Sequence, residues 1–176
     1  MPTSDLHNDP AFSLWMKVNE SDFQKIENFM KSAPVKIGLI AEALSIEVES
    51  TTLPPNISGS IRRINQNPNF YKIEVNNTDV GIRQRFTVSH EISHYLLHRP
   101  EIDSTGITDT ILYRSNLSDK KEIEANRLAA AILMPWQLIH EWHIQKFGCD
   151  PVAQNITEMA NAFRVSSLSV GYRLGL

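Results

Sequence analysis

The stretch Phe86 to His98, FTVSHEISHYLLH, constrains this chain more than any other. It holds His90-Glu91-x-x-His94, two histidines four residues apart with a glutamate after the first. Residues four apart on a helix sit one above the other, so His90 and His94 can point two imidazoles at one metal ion. Zinc takes imidazole nitrogen readily. Glu91 lies about 100° round the helix from His90, beside such an ion and not aimed at it. A carboxylate there can take a proton from an activated water and hand it to a leaving amine. The motif describes a metal-dependent peptide-bond hydrolase, provided the segment is helical and a further ligand exists. The plainer alternative is a buried helix with two histidines and an incidental glutamate. Helical spacing is present: Val88, Ile92 and Leu96 recur every four residues and predict an apolar stripe. Thr87 or an earlier polar residue can cap the start. Pro100 disfavours helical geometry at Arg99, so the helix is expected to stop near there.

A length of 176 residues suits one domain with a core and a short extension. The 41% apolar and 21% charged content excludes a disordered polymer. A formal net charge of −3 provides no global basic field for recruiting nucleic acid. The single cysteine, Cys149, rules out an internal disulfide framework. No apolar run reaches the ~18 residues that a membrane span needs. The opening MPTSDLHNDP lacks the basic and apolar regions of a secretory signal, so the cytoplasm is the expected compartment.

The first 20 residues carry no clear period. Ser21 followed by Gln24 reads as a capping box, and Phe23, Ile26 and Met30 form a helical stripe, giving a helix over about residues 22–32. Ile37, Ile40, Ala41 and Leu44 suggest a second helix, and Thr51 to Ser58, with Pro54-Pro55, a loop. Ser60 to Asn65 and Asn69 to Asn76 read as strands joined by a short turn at Asn65 to Asn69, and the alternating FYKIEV is the stronger of the two. Asn76 to Asp79 is a polar break before Val80 to Arg83. A small sheet here can lend an edge to an extended peptide by main-chain hydrogen bonds, or can merely cover the motif helix. A polar loop follows Pro100. Ser118 or Asp119 then caps a helix through Leu133, with Ile123, Ala125, Leu128, Ala129, Ile132 and Leu133 as its buried surface. Pro135 can begin the next helix, which Gly148 ends.

Two histidines do not complete a catalytic zinc site; three protein ligands and a water are usual. His98 is excluded by reach, because it lies about 12 Å along the axis from His90. Two nitrogens on one ion are only about 3.5 Å apart. The better candidate is on the helix that begins near Asp119. Glu122 and Asn126 are four apart and share a face, so Glu122 can complete the site and Asn126 can orient a ligand. Glu124 points about 160° from Asn126, which favours Glu122. A solvated acid in the first turn of a helix remains the plain alternative for Glu122.

FTVSHEISHYLLH followed by EIEANRLAAAILMP resembles the ImmA/IrrE-type metallopeptidases. The matching residues are Arg85-Phe86-Thr87, His90, Glu91 and His94, then Glu122, Ala125, Asn126 and Leu133-Met134-Pro135. The resemblance implies an α+β, zincin-like fold. In such a fold a small antiparallel or mixed sheet packs on a bundle of helices that includes the motif helix. It implies one zinc ion on His90, His94 and Glu122, with Glu91 as general base and Asn126 behind the ligands. It implies a domain over 34–176 and leaves 1–33 as an extension without an assigned role. It also implies a protein substrate, a helix-turn-helix repressor cut to switch on phage, mobile-element or stress genes. The alternative is an antirepressor of the same fold that binds without cutting. Leu128 and Ile132 stand where Phe and Leu are frequent in the family, a difference of packing. Residues 156–174 read like a helix-turn-helix, yet hold only Arg164 and Arg173 as bases. Packing within the same body is favoured there over direct DNA binding. Tyr95, His98, Tyr113, His140 and His143 are unranked candidates for steadying an oxyanion.

Overall fold

The motif helix is the longest element among the described residues, and the sheet and the helix that carries Glu122 pack on it. The computed structural model describes residues 8–64, 70–104, 119–148 and 155–175. Among these, short helices α1 (Phe12–Trp15) and α2 (Glu20–Ile26) are followed by a single 3-10 turn (Glu27–Met30) and α3 (Ile37–Ala43). Strands β1 (Ile46–Thr51), β2 (Gly59–Arg63) and β3 (Tyr71–Asn76) come next. Then come α4 (Gly81–Ser104), α5 (Asp119–Leu133), α6 (Trp136–Phe147), α7 (Ile156–Phe163) and α8 (Ser167–Leu174). The class is α+β, as the motif pair implied. No helix among the described residues is long and apolar enough to cross a membrane.

The sheet is mixed. β3 lies in the middle, parallel to β1 and antiparallel to β2, with Ile73 paired to Val48 on one side and Ile61 on the other. β3 alternates as its sequence predicts, burying Tyr71, Ile73 and Val75. β1 is not foreseen by the sequence reading, which places the chain between α3 and residue 51 in no strand. As an edge strand it leaves Glu47, Val48 and Glu49 exposed, so it lacks a buried face to advertise itself. Lys72 of β3 bridges Glu47 and Glu49 across the parallel pair. The turn expected at Asn65 to Asn69 lies outside the described residues.

α4 starts well before Thr87 and is broken close to where Pro100 predicts an end. It starts at Gly81, six residues before Thr87, and the Gln84 side chain donates to the carbonyls of Asn76 and Asp79 in the preceding turn. Its first helical run ends at His98, one residue before Arg99, as Pro100 predicts. The backbone kinks at His98 (φ −130°, ψ 24°) and a second helical stretch carries on to Ser104. Pro100 therefore falls in the first turn after the kink, where its missing N–H and fixed φ are tolerated. Residues 87 to 96 are buried on every side, not along a stripe alone. Hydroxyls make this possible: Ser93 Oγ donates to the Ser89 carbonyl and Ser89 Oγ to the Ala129 carbonyl on α5, 3.0 Å away.

Three local readings need correction. Asn19, not Ser21, caps α2, its side chain accepting from the Ser21 amide. Ile123 is 57% exposed, because it lies about 160° from Ala125 round α5 and beside the outward Arg127. Pro135 is the residue before the first turn of α6 rather than within it, while Gly148 ends that helix with φ 69°. The expected cap at Ser118 lies outside the described residues.

The segment before residue 31 joins the common core through Trp15, Phe23 and Ile26. It is pinned by charge as well. Asp9 accepts from the Ala11 amide, from Trp15 Nε1 and from Arg173 Nη1 of α8, the last at 2.7 Å. Asp22 of α2 pairs with Arg99, whose guanidinium lies 3.9 Å over the Tyr95 ring.

Candidate metal centre

α4 and α5 cross so that His90, His94 and Glu122 meet. His90 Nε2 and His94 Nε2 are 3.0 Å apart. Glu122 Oε2 is 3.3 Å from the first and Oε1 3.3 Å from the second. A tetrahedral ion with bonds near 2 Å holds its ligand atoms roughly 3.4 Å apart, so the two nitrogens and the carboxylate stand at the edges of a zinc-sized gap.

Hydrogen bonds on the far side of each ring set the protonation. Asn126 Oδ1 faces His90 Nδ1 at 2.9 Å. A carbonyl oxygen only accepts, so His90 carries its proton on Nδ1 and turns a lone pair toward the gap. His94 Nδ1 meets His98 Nδ1 at 3.1 Å, and His98 Nε2 meets Glu124 Oε2 at 3.4 Å. Glu124 accepts from His98 Nε2, which leaves His98 Nδ1 to accept from His94 Nδ1. His94 Nε2 is thereby also a lone pair aimed inward. Two nitrogen lone pairs and a carboxylate converging in one buried place repel one another unless a cation lies between them. Glu122 Oε1 is shut off from water and has no hydrogen-bond donor among the described residues, although His94 Nε2 is close. The donor set fits a single divalent ion that takes nitrogen and oxygen, as zinc does.

Burial pushes the Glu122 carboxyl up, and positive charge at the facing His90 and His94 nitrogens reverses this and holds it well below the usual carboxylate range, so the carboxylate too calls for a cation in the gap. It is charged at neutral pH. Burial, and then the neighbouring His94, push the His98 imidazole down against the pull of Glu124, so His98 is neutral there, as its tautomer requires. Glu91 is 2% exposed, one position after His90 on α4.

The cleft leading to the centre holds about 520 Å³ and is lined by Ser58, Arg83, Phe86, His90, Glu122 and Tyr172, among others. Ser58 immediately precedes β2, which pairs only with β3 among the described residues. Of the oxyanion candidates, Tyr95 is buried against Tyr71 and Arg99, and His98 is engaged behind His94. His143 is buried on α6 with Asn155, His140 is on the same helix outside the cleft lining, and Tyr113 lies outside the described residues. The sequence reading missed Tyr172, which lines the cleft and stacks on Phe86 at 6.3 Å. Glu124 is turned away from the gap and pairs instead with Lys17 at 2.9 Å.

A family model described as the IrrE N-terminal-like domain matches residues 41–175. The radiation response metalloprotease IrrE of Deinococcus radiodurans is 35% identical over 107 residues, covering 61% of this chain and 31% of that protein. The protein of the same name from Deinococcus deserti is 36% identical over 118 residues, covering 61% of this chain and 37% of its own length. The chain thus spans about a third of the curated relatives it matches. A Mycobacterium tuberculosis transcriptional regulator aligns in structure with 18% identity and a TM-score of 0.45, over 94% of this chain and 44% of that one. That likeness is too slight to carry an argument.

Proposed function

The chain belongs to the IrrE N-terminal-like domain family, and from that premise we propose that it is a zinc-dependent endopeptidase acting on a protein substrate. The observation that carries the reading is the meeting of His90, His94 and Glu122 at 3.0 to 3.3 Å, with Glu91 next to the first. His90, His94 and Glu122 would hold the ion. When bound, the ion supplies Lewis-acid activation of the attacking water and of the scissile carbonyl. Glu91 takes the proton from that water and returns it to the leaving amine. Asn126 and His98 keep the two ligand rings in the tautomer that faces inward. Tyr172, which lines the cleft with His90 and Glu122 and has a phenolic hydroxyl, is our candidate for steadying the developing oxyanion. A substrate strand added along the outer edge of β2 would enter past Ser58.

We take the substrate to be a helix-turn-helix repressor on the strength of the paired motifs alone. A contribution of residues 156–174 to direct DNA binding is not favoured: α8 packs on α5, and Arg173, one of its two bases, is buried against Asp9. The test is elemental analysis of the wild type and Glu122→Ala, together with cleavage by Glu91→Gln. One zinc per wild-type chain and a marked loss in Glu122→Ala are expected, and unchanged zinc in that variant would reject the third ligand. Glu91→Gln should keep its zinc and lose cleavage by about 10²- to 10⁴-fold. A Glu91→Gln protein that relieves repression fully, with the repressor intact, would replace the peptidase with a binding antirepressor.

A further inference from the structure

Arg85 opens the Arg85-Phe86-Thr87 part of the motif, yet the metal centre does not use it. Phe86 and Thr87 line the metal-side cleft, whereas Arg85 lines a second cavity of about 780 Å³ on the other side of Ile82. Arg85 and His90 are five residues apart on α4, about 140° round the helix, which is why they serve different faces. The second cavity is walled by the start of α3, the outward side of β1, the first half of α4 and the end of α7. Ile37, Val48, Ile82 and Val88 make much of it aliphatic, and among the described residues no acidic one lines it.

Its charge comes from Arg85 and Arg164. Among the described residues neither arginine has a carboxylate partner. Arg85 Nε and Nη2 are closed off from water and have no acceptor among the described residues. Arg164 is held at the left-handed φ of 52° that ends α7, and its charge, after burial, pushes the Arg85 guanidinium down. A guanidinium whose nitrogens are withdrawn from water without an acceptor, with a second cation lining the same cavity, is costly to the fold on its own. The planar fork of a guanidinium matches the paired oxygens of a carboxylate or a phosphoryl group.

We propose that this cavity binds an oxyanion, carboxylate or phosphoryl, carried on a short apolar body. Arg85 and Arg164 take the anionic end and the aliphatic wall takes the rest. The site is distinct from the metal centre, and its occupancy does not depend on metal or on peptidase activity.

The test titrates hexyl phosphate, hexanoate and uncharged hexan-1-ol into ¹⁵N-labelled protein and follows amide shifts. Both anions are expected to move Gly38, Val48 and Asn161 saturably, roughly tenfold more tightly than the alcohol. The tighter of the two anions assigns the head group as phosphoryl or carboxylate. Arg164→Gln, at an exposed position, is expected to erase the preference for anions while the alcohol binds as before. Gly38→Leu is the second variant. A Cβ built there meets nothing within 4 Å, so the helix accepts the side chain, which takes up part of the aliphatic wall's space and is expected to weaken all three probes. Equal binding of alcohol and anions, shifts away from these amides, or an unaltered anion preference in Arg164→Gln would each overturn the proposal.

Discussion

Replacing Asp9 by alanine tests how firmly the first helices belong to the body. Asp9 and Arg173 have side chains only 1% exposed, and their charges meet at 2.7 Å. Arg173 Nε donates to the Met134 carbonyl, and Nη2 has no partner already. Removing the carboxylate leaves a guanidinium buried with one hydrogen bond, and breaking a pair of this kind costs about 3–5 kcal/mol. The Ala11 amide and Trp15 Nε1 lose their acceptor too, so the upper half of that range is expected. Stability for a domain is roughly 5–15 kcal/mol, so the loss is a large share of the whole. At about 2–4 °C per kcal/mol for a chain of this size, Tm should fall by roughly 8–20 °C. Urea denaturation of Asp9→Ala, Arg173→Met and the double variant gives both the loss and the coupling. The double variant should recover much of the loss, because no charge is left buried. A loss below about 1 kcal/mol in Asp9→Ala, or strict additivity in the double variant, would refute the idea that this pair ties residue 9 to α8.

His98→Ala removes the acceptor behind His94 and should weaken zinc about 10- to 100-fold, read by competition with a chelator, with circular dichroism unchanged. Tyr172→Phe is expected to lower kcat with little change in KM or zinc content; an unchanged kcat removes Tyr172 from the chemistry. Gly59→Ala puts a Cβ 2.6 Å from the Glu74 carbonyl and 2.5 Å from Thr87 Cγ2. Overpacking of that order costs about 1–3 kcal/mol, measurable by denaturant unfolding. Gly148→Ala, at φ 69°, should lose about 1 kcal/mol on the same measurement.

The parts that were legible in sequence rest on local geometry. The spacing of His90 and His94 is a property of any helix, and the shared face of Glu122 and Asn126 follows from the same rule. What brings the two helices together is not periodic, and only the paired motifs hinted at it. The position of His98 was readable as too distant for the ion, but its contact with His94 Nδ1 was not. β1 escaped because an edge strand studded with Glu47 and Glu49 has no buried face. Ile123 was misread because it follows the hydrophobic letters and not the angle at which α5 meets the core. The Asp9–Arg173 pair spans 164 residues and leaves no trace in composition or spacing. Tyr172 came to the cleft by tertiary packing of α8, in a stretch whose pattern speaks of turns and core.

Ser89 reaches the Ala129 carbonyl because alanines, fully buried at 125 and 129, give α5 a low profile against α4. Those methyl groups act as a caliper. Zinc–nitrogen bonds are about 2.0–2.1 Å and calcium–oxygen bonds about 2.3–2.6 Å, so a few tenths of an ångström in jaw width separates small ions from large ones. A valine at either alanine would spread the jaws without touching a donor atom. For the zinc site proposed above, choice of ion would thus rest on side-chain bulk one and two turns along α5 from Glu122.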